Sequence, residues 1–362
     1  MKTFTTTLAI LAFAAVMASC SSEEELGINN GSEIEFRAAV GRGTRATETT
    51  ITNFTKFHVY ATGTNESDGF EDFYSRAENG SSWLPETSQH YWPTDNSTLN
   101  FYAYAPSTLG FANKDGKLGS DFTIGKNVAE QVDFIAAYNS GNKAKNGAKG
   151  VQMTFKHMLS QIEIKAKSSS AVYEYTVAGW RVGSVNNKGR FSFQEQADAP
   201  GTWSLDKTGF DDYINTDETA TKTLAKDAVS LMTKDGGNTM LLPQQLTAWD
   251  TENDKNNINK GSFLAVYINI KIIDGDNKVQ YYPAAAAEGE TQKRFGWACI
   301  PVNTKWEPGY KYIYTLDFTN GAGKYPPEDP DVPGEDILTD PIRFTVDVEP
   351  WKTDDGNHNL NM

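Results

Sequence analysis

Short runs of alternating apolar and polar residues recur along the chain, cut apart by Gly, Asn, Asp and Pro. They fall at 57–61 (FHVYA), 99–105 (LNFYAYA, stopped by Pro106), 134–138 (FIAAY), 151–155 (VQMTF) and 162–166 (IEIKA). Two longer ones cover 263–273 and 310–318, and the last is 342–348. A period of two places successive side chains on opposite faces of an extended backbone. Each run therefore predicts a β-strand with a buried face. Helical periodicity is nearly absent, with short turns expected near 206–213. The pattern predicts an all-β protein whose strand spacing suits sandwiches or barrels rather than βαβ units.

The stretch 139–150 (NSGNKAKNGAKG) holds no apolar residue larger than Ala. It cannot supply a core strand, so it is the expected boundary between two sandwiches. The expected units are 46–148 and 151–362, the second carrying the terminal strand 342–348. A chain of 362 residues is long enough for two such domains. Residues 253–260 form a polar loop within the second unit. Residues 325–334 (YPPEDPDVPG) are rich in proline and cannot donate a continuous hydrogen-bond ladder. They are expected to leave the C-terminal segment on a tether.

The first 19 residues carry one positive charge at Lys2, an apolar run over 8–16, and the small pair Ala18-Ser19. This is the layout of a secretory signal, too short to span a bilayer comfortably. Cys20 directly after the small pair makes it a bacterial lipoprotein signal, with the lipid attached at Cys20; the plainer alternative is an ordinary signal peptide beside an incidental cysteine. Ser21-Ser22-Glu23-Glu24-Glu25 resembles the surface-export tag of Bacteroidetes lipoproteins, or is a solvated spacer. The expected location is the outer membrane, facing outward.

Composition narrows the function. With 47 Asp+Glu against 33 Lys+Arg the chain is acidic, and no basic stripe exists to neutralise phosphates, so nucleic acid is a poor partner. If Cys20 is lipidated, Cys299 has no internal disulfide partner and reads as a small buried hydrophobe in the apolar run 295–300. His58, His90, His157 and His358 are isolated in sequence, which leaves a nucleophile without a base. Asp211-Asp212 and Asp354-Asp355 read as solvated turns, since calcium needs six or more oxygens. No Gly-rich phosphate loop, metal site or cofactor site is expected. Tyr91-Trp92-Pro93 and Gly296-Trp297 could stack on sugars, but aromatics more often fill β-sandwich cores. The chain is expected not to be an enzyme.

Two strands stand out as a pair. Near the start, Ile34, Phe36, Ala38 and Val40 share one face of an alternating strand. Near the end, Ile342, Phe344, Val346 and Val348 share one face of another. Two strands with matched faces could occupy the same groove in different molecules, although any half-buried strand has this pattern. Between the first strand and the first domain lies Arg42-Gly43-Thr44-Arg45-Ala46-Thr47-Glu48-Thr49-Thr50, a polar stretch of the kind that proteases cut. A cut between Arg45 and Ala46 would release the anchor and the first strand together. The vacated edge would then seek a new strand.

Together these residues resemble the fimbrillin family of Bacteroidetes, the pilins of type V pili. The resemblance is carried by the lipobox cysteine, Ile34-Glu35-Phe36, Thr44-Arg45-Ala46-Thr47, Tyr91-Trp92-Pro93 and the run Leu99 to Pro106. It continues with Phe155-Lys156-His157-Met158-Leu159-Ser160-Gln161-Ile162, Leu241-Leu242-Pro243-Gln244-Gln245 and Trp306-Glu307-Pro308-Gly309-Tyr310-Lys311-Tyr312. It ends with Ile342 to Trp351. The resemblance implies two tandem transthyretin-like β-sandwich domains and export as a lipoprotein. It implies a propeptide over 20–45 removed by an Arg-specific protease at Arg45-Ala46, and strand exchange between pilin subunits. The implied partners are other pilin subunits, the outer membrane through the lipid before cleavage, and that protease. The family also includes tips and anchors, so 342–348 is either donated or closes its own domain. The rival reading is a surface lipoprotein that binds glycans or acts as an adhesin without polymerising.

Overall fold

The computed structural model describes residues 33–40, 53–64, 68–78, 82–232, 237–256, 261–286, 288–289 and 291–350. In chain order its strands begin with β1 (Phe36–Val40), β2 (Lys56–Thr62), β3 (Phe70–Arg76), β4 (Trp83–Pro85), β5 (Leu99–Ala105), β6 (Ala112–Lys114), β7 (Lys117–Thr123), β8 (Ile135–Gly141) and β9 (Val151–His157). They continue with β10 (Ser160–Lys167), β11 (Tyr173–Asn186), β12 (Lys188–Phe193), β13 (Gly201–Leu205), β14 (Phe210–Thr216), β15 (Lys222–Thr223), β16 (Val229–Ser230) and β17 (Thr239–Leu241). The last are β18 (Phe263–Asp274), β19 (Asn277–Tyr282), β20 (Gly296–Pro301), β21 (Tyr310–Asp317) and β22 (Arg343–Pro350). The all-β expectation holds, and each run singled out by alternation lies in or overlaps a strand.

The first sheet has the order β1-β9-β8-β5-β2-β3-β4. One of its faces packs the first core: Phe57, Val59, Phe101, Ala103, Ile135, Val151, Met153 and Phe155 are all fully buried there. The other face is also covered. Tyr104 and Ala136, on the opposite sides of β5 and β8, belong to a second and larger core. Being covered on both faces explains why these two strands read as nearly continuous apolar runs. The second core lies mainly between the sheet β16-β10-β21-β22 and the sheet β14-β11-β18-β19. The four-stranded sheet β13-β12-β7-β6 adds Leu118, Phe191 and Phe193 to it.

Residues 139–141, expected to lie outside any core strand, complete β8 opposite Leu99–Phe101, and 142–150 form a connection inside the first sheet. It holds a single helical turn, Lys143–Asn146, capped by the Asn142 side chain. It delivers the chain from β8 to β9, which pair with each other, and β9 then takes β1 along its other edge. A polar, small-residue stretch marks a loop; the composition does not say which sheets its two ends join. Of the turns expected over 206–213, only the first four residues are outside a strand. β14 starts at Phe210 and carries Asp211 and Asp212. The segment 325–334 is held rather than loose. Lys324 and Cys299 exchange backbone hydrogen bonds of 2.8 Å, Tyr325 N–H donates to the Glu335 carbonyl, and Ile337 and Leu338 are buried.

Lys143, Lys145 and Lys149 lie in the β8–β9 connection, and all three are exposed. If trypsin cuts there, the two fragments should stay together as one particle on gel filtration and separate only in denaturant, because β9 is clasped by β1 and β8.

Candidate functional site: the two terminal strands

β1 lies parallel to β9, from Phe36 opposite Val151 to Val40 opposite Phe155. Just ahead of β1, the chain meets the segment before β5, where Ile34 N–H donates to the His90 carbonyl at 2.8 Å and Glu33 bridges Tyr91. The N-terminal segment is thus held by two neighbours. Ile34, Phe36 and Val40 are 2%, 3% and 1% exposed, and Ala38 is half-buried against the same core. Phe36 stands edge-on to three rings, with centroids 4.7 Å from Tyr74, 5.3 Å from Phe101 and 6.1 Å from Phe57. Gly150, just before β9, allows this close pairing. Its φ is +69°, and a Cβ there would stand 2.9 Å from the Glu35 carbonyl oxygen.

The wall beside this segment is fixed by a buried carboxylate. Asp72 accepts from the Thr87 hydroxyl at 2.8 Å, from Thr87 N–H at 3.2 Å and from Phe73 N–H at 2.7 Å, and pairs with His90 Nε2 at 2.8 Å. Burial pushes this carboxyl up, but the bonds from His90, Thr87 and Phe73 outweigh it and hold it below its ordinary value. His90 carries the carbonyl that pairs with Ile34, so Asp72 orients the rim through His90.

β22 is seated quite differently. It pairs antiparallel with β21 over eight positions, from Tyr310 opposite Pro350 to Asp317 opposite Arg343. It ends its sheet, so its outer edge pairs with no strand among the described residues. Ile342 and Val346 lean on the second core, but Phe344 is 38% exposed and Val348 is 49% exposed. Phe344 stands 6.5 Å from the Tyr314 ring, measured between centroids. The two matched strands are therefore brought to different cores. The stripe of β1 is buried, and the stripe of β22 is half open. Cys20, Arg45 and Ala46 lie outside the described residues.

Histidines isolated in sequence are paired in space: His58 with Glu71 at 3.0 Å, His90 with Asp72, and His157 with Asp133 at 2.9 Å. No local motif signals these pairs, since 13 to 24 residues separate the partners and the sheet brings them together. His358 and the Asp354-Asp355 pair lie outside the described residues. Asp212 is not a solvated turn residue. It accepts from Arg181 Nη2 at 2.6 Å and from Ser184 N–H at 2.7 Å, while Arg181 also bonds Glu328. Cys299 lies fully buried beside this group, and burial raises its thiol well above the ordinary value despite the nearby Arg181 charge. Such a thiol is inert rather than nucleophilic. Among the described residues no group of three or more His, Cys, Asp or Glu is placed to hold a metal.

A model of the fimbrillin-like family matches residues 44–351. No curated protein matches the sequence. Among solved structures, a candidate cell adhesion protein of Parabacteroides distasonis is similar at 12% identity, covering 88% of this chain and 100% of its own, with a TM-score of 0.48. A fimbrilin of Porphyromonas gingivalis is similar at 11% identity over 88% of this chain and 97% of its own, with a TM-score of 0.44. A fimbrial assembly protein of Parabacteroides distasonis is similar at 8% identity over 88% and 99%, with a TM-score of 0.38.

Truncation should cost very different amounts at the two matched phenylalanines. Phe36→Ala should lower unfolding free energy by about 3–5 kcal/mol, as for a fully packed ring. Phe344→Ala should cost roughly 1 kcal/mol or less, and urea titrations of both variants read the difference. Acid should act through Asp72. Its folded-state value is depressed, so its stabilisation is fully present above the ordinary 3.8 and is lost as pH falls through the folded value. The stability gap between the wild type and Asp72→Asn should therefore shrink as urea titrations are moved from pH 7 to pH 3.

Proposed function

The chain belongs to the fimbrillin-like family, and from that premise we propose that it is a structural subunit of a cell-surface pilus serving adhesion. Assembly proceeds by removal of β1 and its replacement by the terminal strand of a neighbour. Before processing, the chain is held to the outer membrane by a lipid on Cys20. An Arg-specific protease then cuts between Arg45 and Ala46. The observation that carries this reading is the contrast between the two strands. β1 fills a slot whose other walls come from the rest of the chain, while β22 presents Phe344 and Val348 half exposed.

Apolar burial favours refilling the slot once β1 is gone. Full burial of a large apolar side chain is worth about 1.5–3 kcal/mol. The slot loses Ile34, Phe36 and Val40 together, and an opened sheet edge also leaves backbone groups without partners. Aligned by their apolar positions, Ile342, Phe344, Val346 and Val348 replace Ile34, Phe36, Ala38 and Val40 one for one. At home the donor gives up little buried surface beyond Ile342 and Val346. Phe344 and Val348 gain it on transfer.

The eight positions that join β22 to β21 favour a second reading, in which this strand closes its own sheet and the subunit is a tip or a non-polymerising adhesin. One experiment separates the two. The soluble chain starting at Ser21 is incubated with and without an Arg-specific protease, and its size is followed by light scattering and electron microscopy. The intact protein should remain monomeric and the cleaved protein should form a ladder of polymers. A cleaved chain ending at Asp340 should stay folded and form no homopolymer, yet cap the growth of full-length cleaved chains. A cleaved full-length chain that stays folded and monomeric sinks the shaft reading, and unfolding of the chain ending at Asp340 supports the closing-strand reading.

A further inference from the structure

Leu338 is the last buried residue before β22, and residues 339–341 separate it from Ile342. An extended chain spans at most about 3.3–3.6 Å per residue, so Leu338 and Ile342 stand no more than roughly 14 Å apart. If β22 takes the place of β1 in a neighbour, Ile342 comes to lie where Ile34 lies, beside the His90 carbonyl. The donor's body then meets the acceptor at that end of the slot, because the tether is too short to hold the two apart. The surface beside Leu338 and the surface beside Ile34 are therefore pressed together.

On the donor, Leu338 adjoins the β18–β19 hairpin, where the Tyr281 hydroxyl donates to the Ile337 carbonyl at 3.2 Å. Tyr281 lies 6.1 Å from the Tyr173 ring, and Tyr173 pairs with Ile272, which stands opposite Val279. Val279 is 56% exposed and Tyr281 41%, an apolar patch left open among the described residues. Asp274 and Asp276 flank the hairpin turn and Asp340 lies on the tether, all three exposed. The nearby cation Lys278 is paired with Glu174. On the acceptor, Glu33 bridges Tyr91, which is 43% exposed. The turn 142–150 lies alongside: Ala144 N–H donates to the Asn96 side chain at 2.8 Å, and Val151 N–H to the Glu35 carbonyl at 2.7 Å. This turn carries Lys143, Lys145 and Lys149, all exposed, with Asp95 as the acid beside it. Removal of β1 takes Glu33 and Glu35 from the mouth. In the incoming strand Pro341 stands in for Glu33 and Arg343 for Glu35, with Asp340 just ahead. The chain is acidic overall, with a formal net charge of −14, so two copies repel in most orientations. A basic mouth facing an acidic hairpin is an orientation in which they attract.

We propose that these two surfaces dock on each other in successive copies of the chain, with Asp274, Asp276 and Asp340 of one against Lys143, Lys145 and Lys149 of the next, and Val279 and Tyr281 against Tyr91. This docking rests on the strand-exchange reading and adds to it a contact between folded bodies. Opposite charges at the mouth act before the strand is seated, so they govern the rate of growth. Growth of the cleaved full-length chain, followed by light scattering, tests it with two sets of substitutions. One set is Lys143→Glu, Lys145→Glu and Lys149→Glu; the other is Asp274→Lys and Asp276→Lys. Each set alone should slow growth about tenfold. The second does so although it lowers the net negative charge, which would speed a nonspecific encounter. A chain carrying both sets should regain most of the wild-type rate, because each reversed charge meets a reversed partner. Val279→Ser should raise the lowest concentration that supports growth. All these positions are exposed, so thermal midpoints should stay within a few degrees of the wild type. A folded, cleaved wild type that does not grow overturns the strand-exchange reading and the docking with it. Wild-type growth that neither charge set alters, or a combined chain no faster than the slower set, overturns the docking alone.

Discussion

The seating of β1 against β9, with the residues before it held by the segment ahead of β5, is the constraint on which the first half of the molecule depends. A strand of five residues places Phe36 among Phe57, Tyr74 and Phe101, and the rest of that core is arranged around its ring. Covalently, however, β1 is separated from the sheet it completes by the long stretch 41–55 before β2 begins. The central side chain of this core therefore comes from a part of the chain that precedes every other strand of the sheet.

Much of the fold was legible because alternation is a direct imprint of a half-buried sheet. Val151, Met153 and Phe155 all point into the first core, as a period of two requires. Legibility failed where one strand serves two surroundings. β11 is the longest strand, yet its sequence mixes Gly179 and Gly183 with Trp180 and Arg181, and two register shifts disturb the alternation. It contributes Trp180 and Val182 to the large core and Arg181 to the group with Asp212 and Glu328. The terminal strands were recognisable as a pair from their faces. Their unequal burial was not, because alternation says which side chains share a face and not whether anything covers that face. The rim built by Asp72, Thr87 and His90 was equally hidden, since it depends on which strands become neighbours.

The proline-rich segment before β22 shows how the second half handles a similar demand. Prolines prevent it from becoming a regular strand, yet Glu328 reaches the buried Arg181 and Lys324 pairs with Asp336 at 2.9 Å. Ile337 and Leu338 then fasten its far end. Any release of the C-terminus therefore begins near Pro341 and not at Tyr325. Gly321 packs against the same place, since a Cβ there would collide with the Asp340 carbonyl.

The parallel pairing of β1 with β9 has a consequence for geometry at larger scale. A replacement that keeps the parallel ladder with β9 runs in the same direction as the strand it replaces, so its chain enters the slot from one side only. Each molecule would then accept at one surface and give at another, and the two surfaces differ. Contacts of that type are head-to-tail and do not close on themselves as a twofold dimer does. A row of such molecules has two unlike ends, one with an empty slot and one with an ungiven strand. Polarity of that kind would be set by the direction of a single five-residue strand.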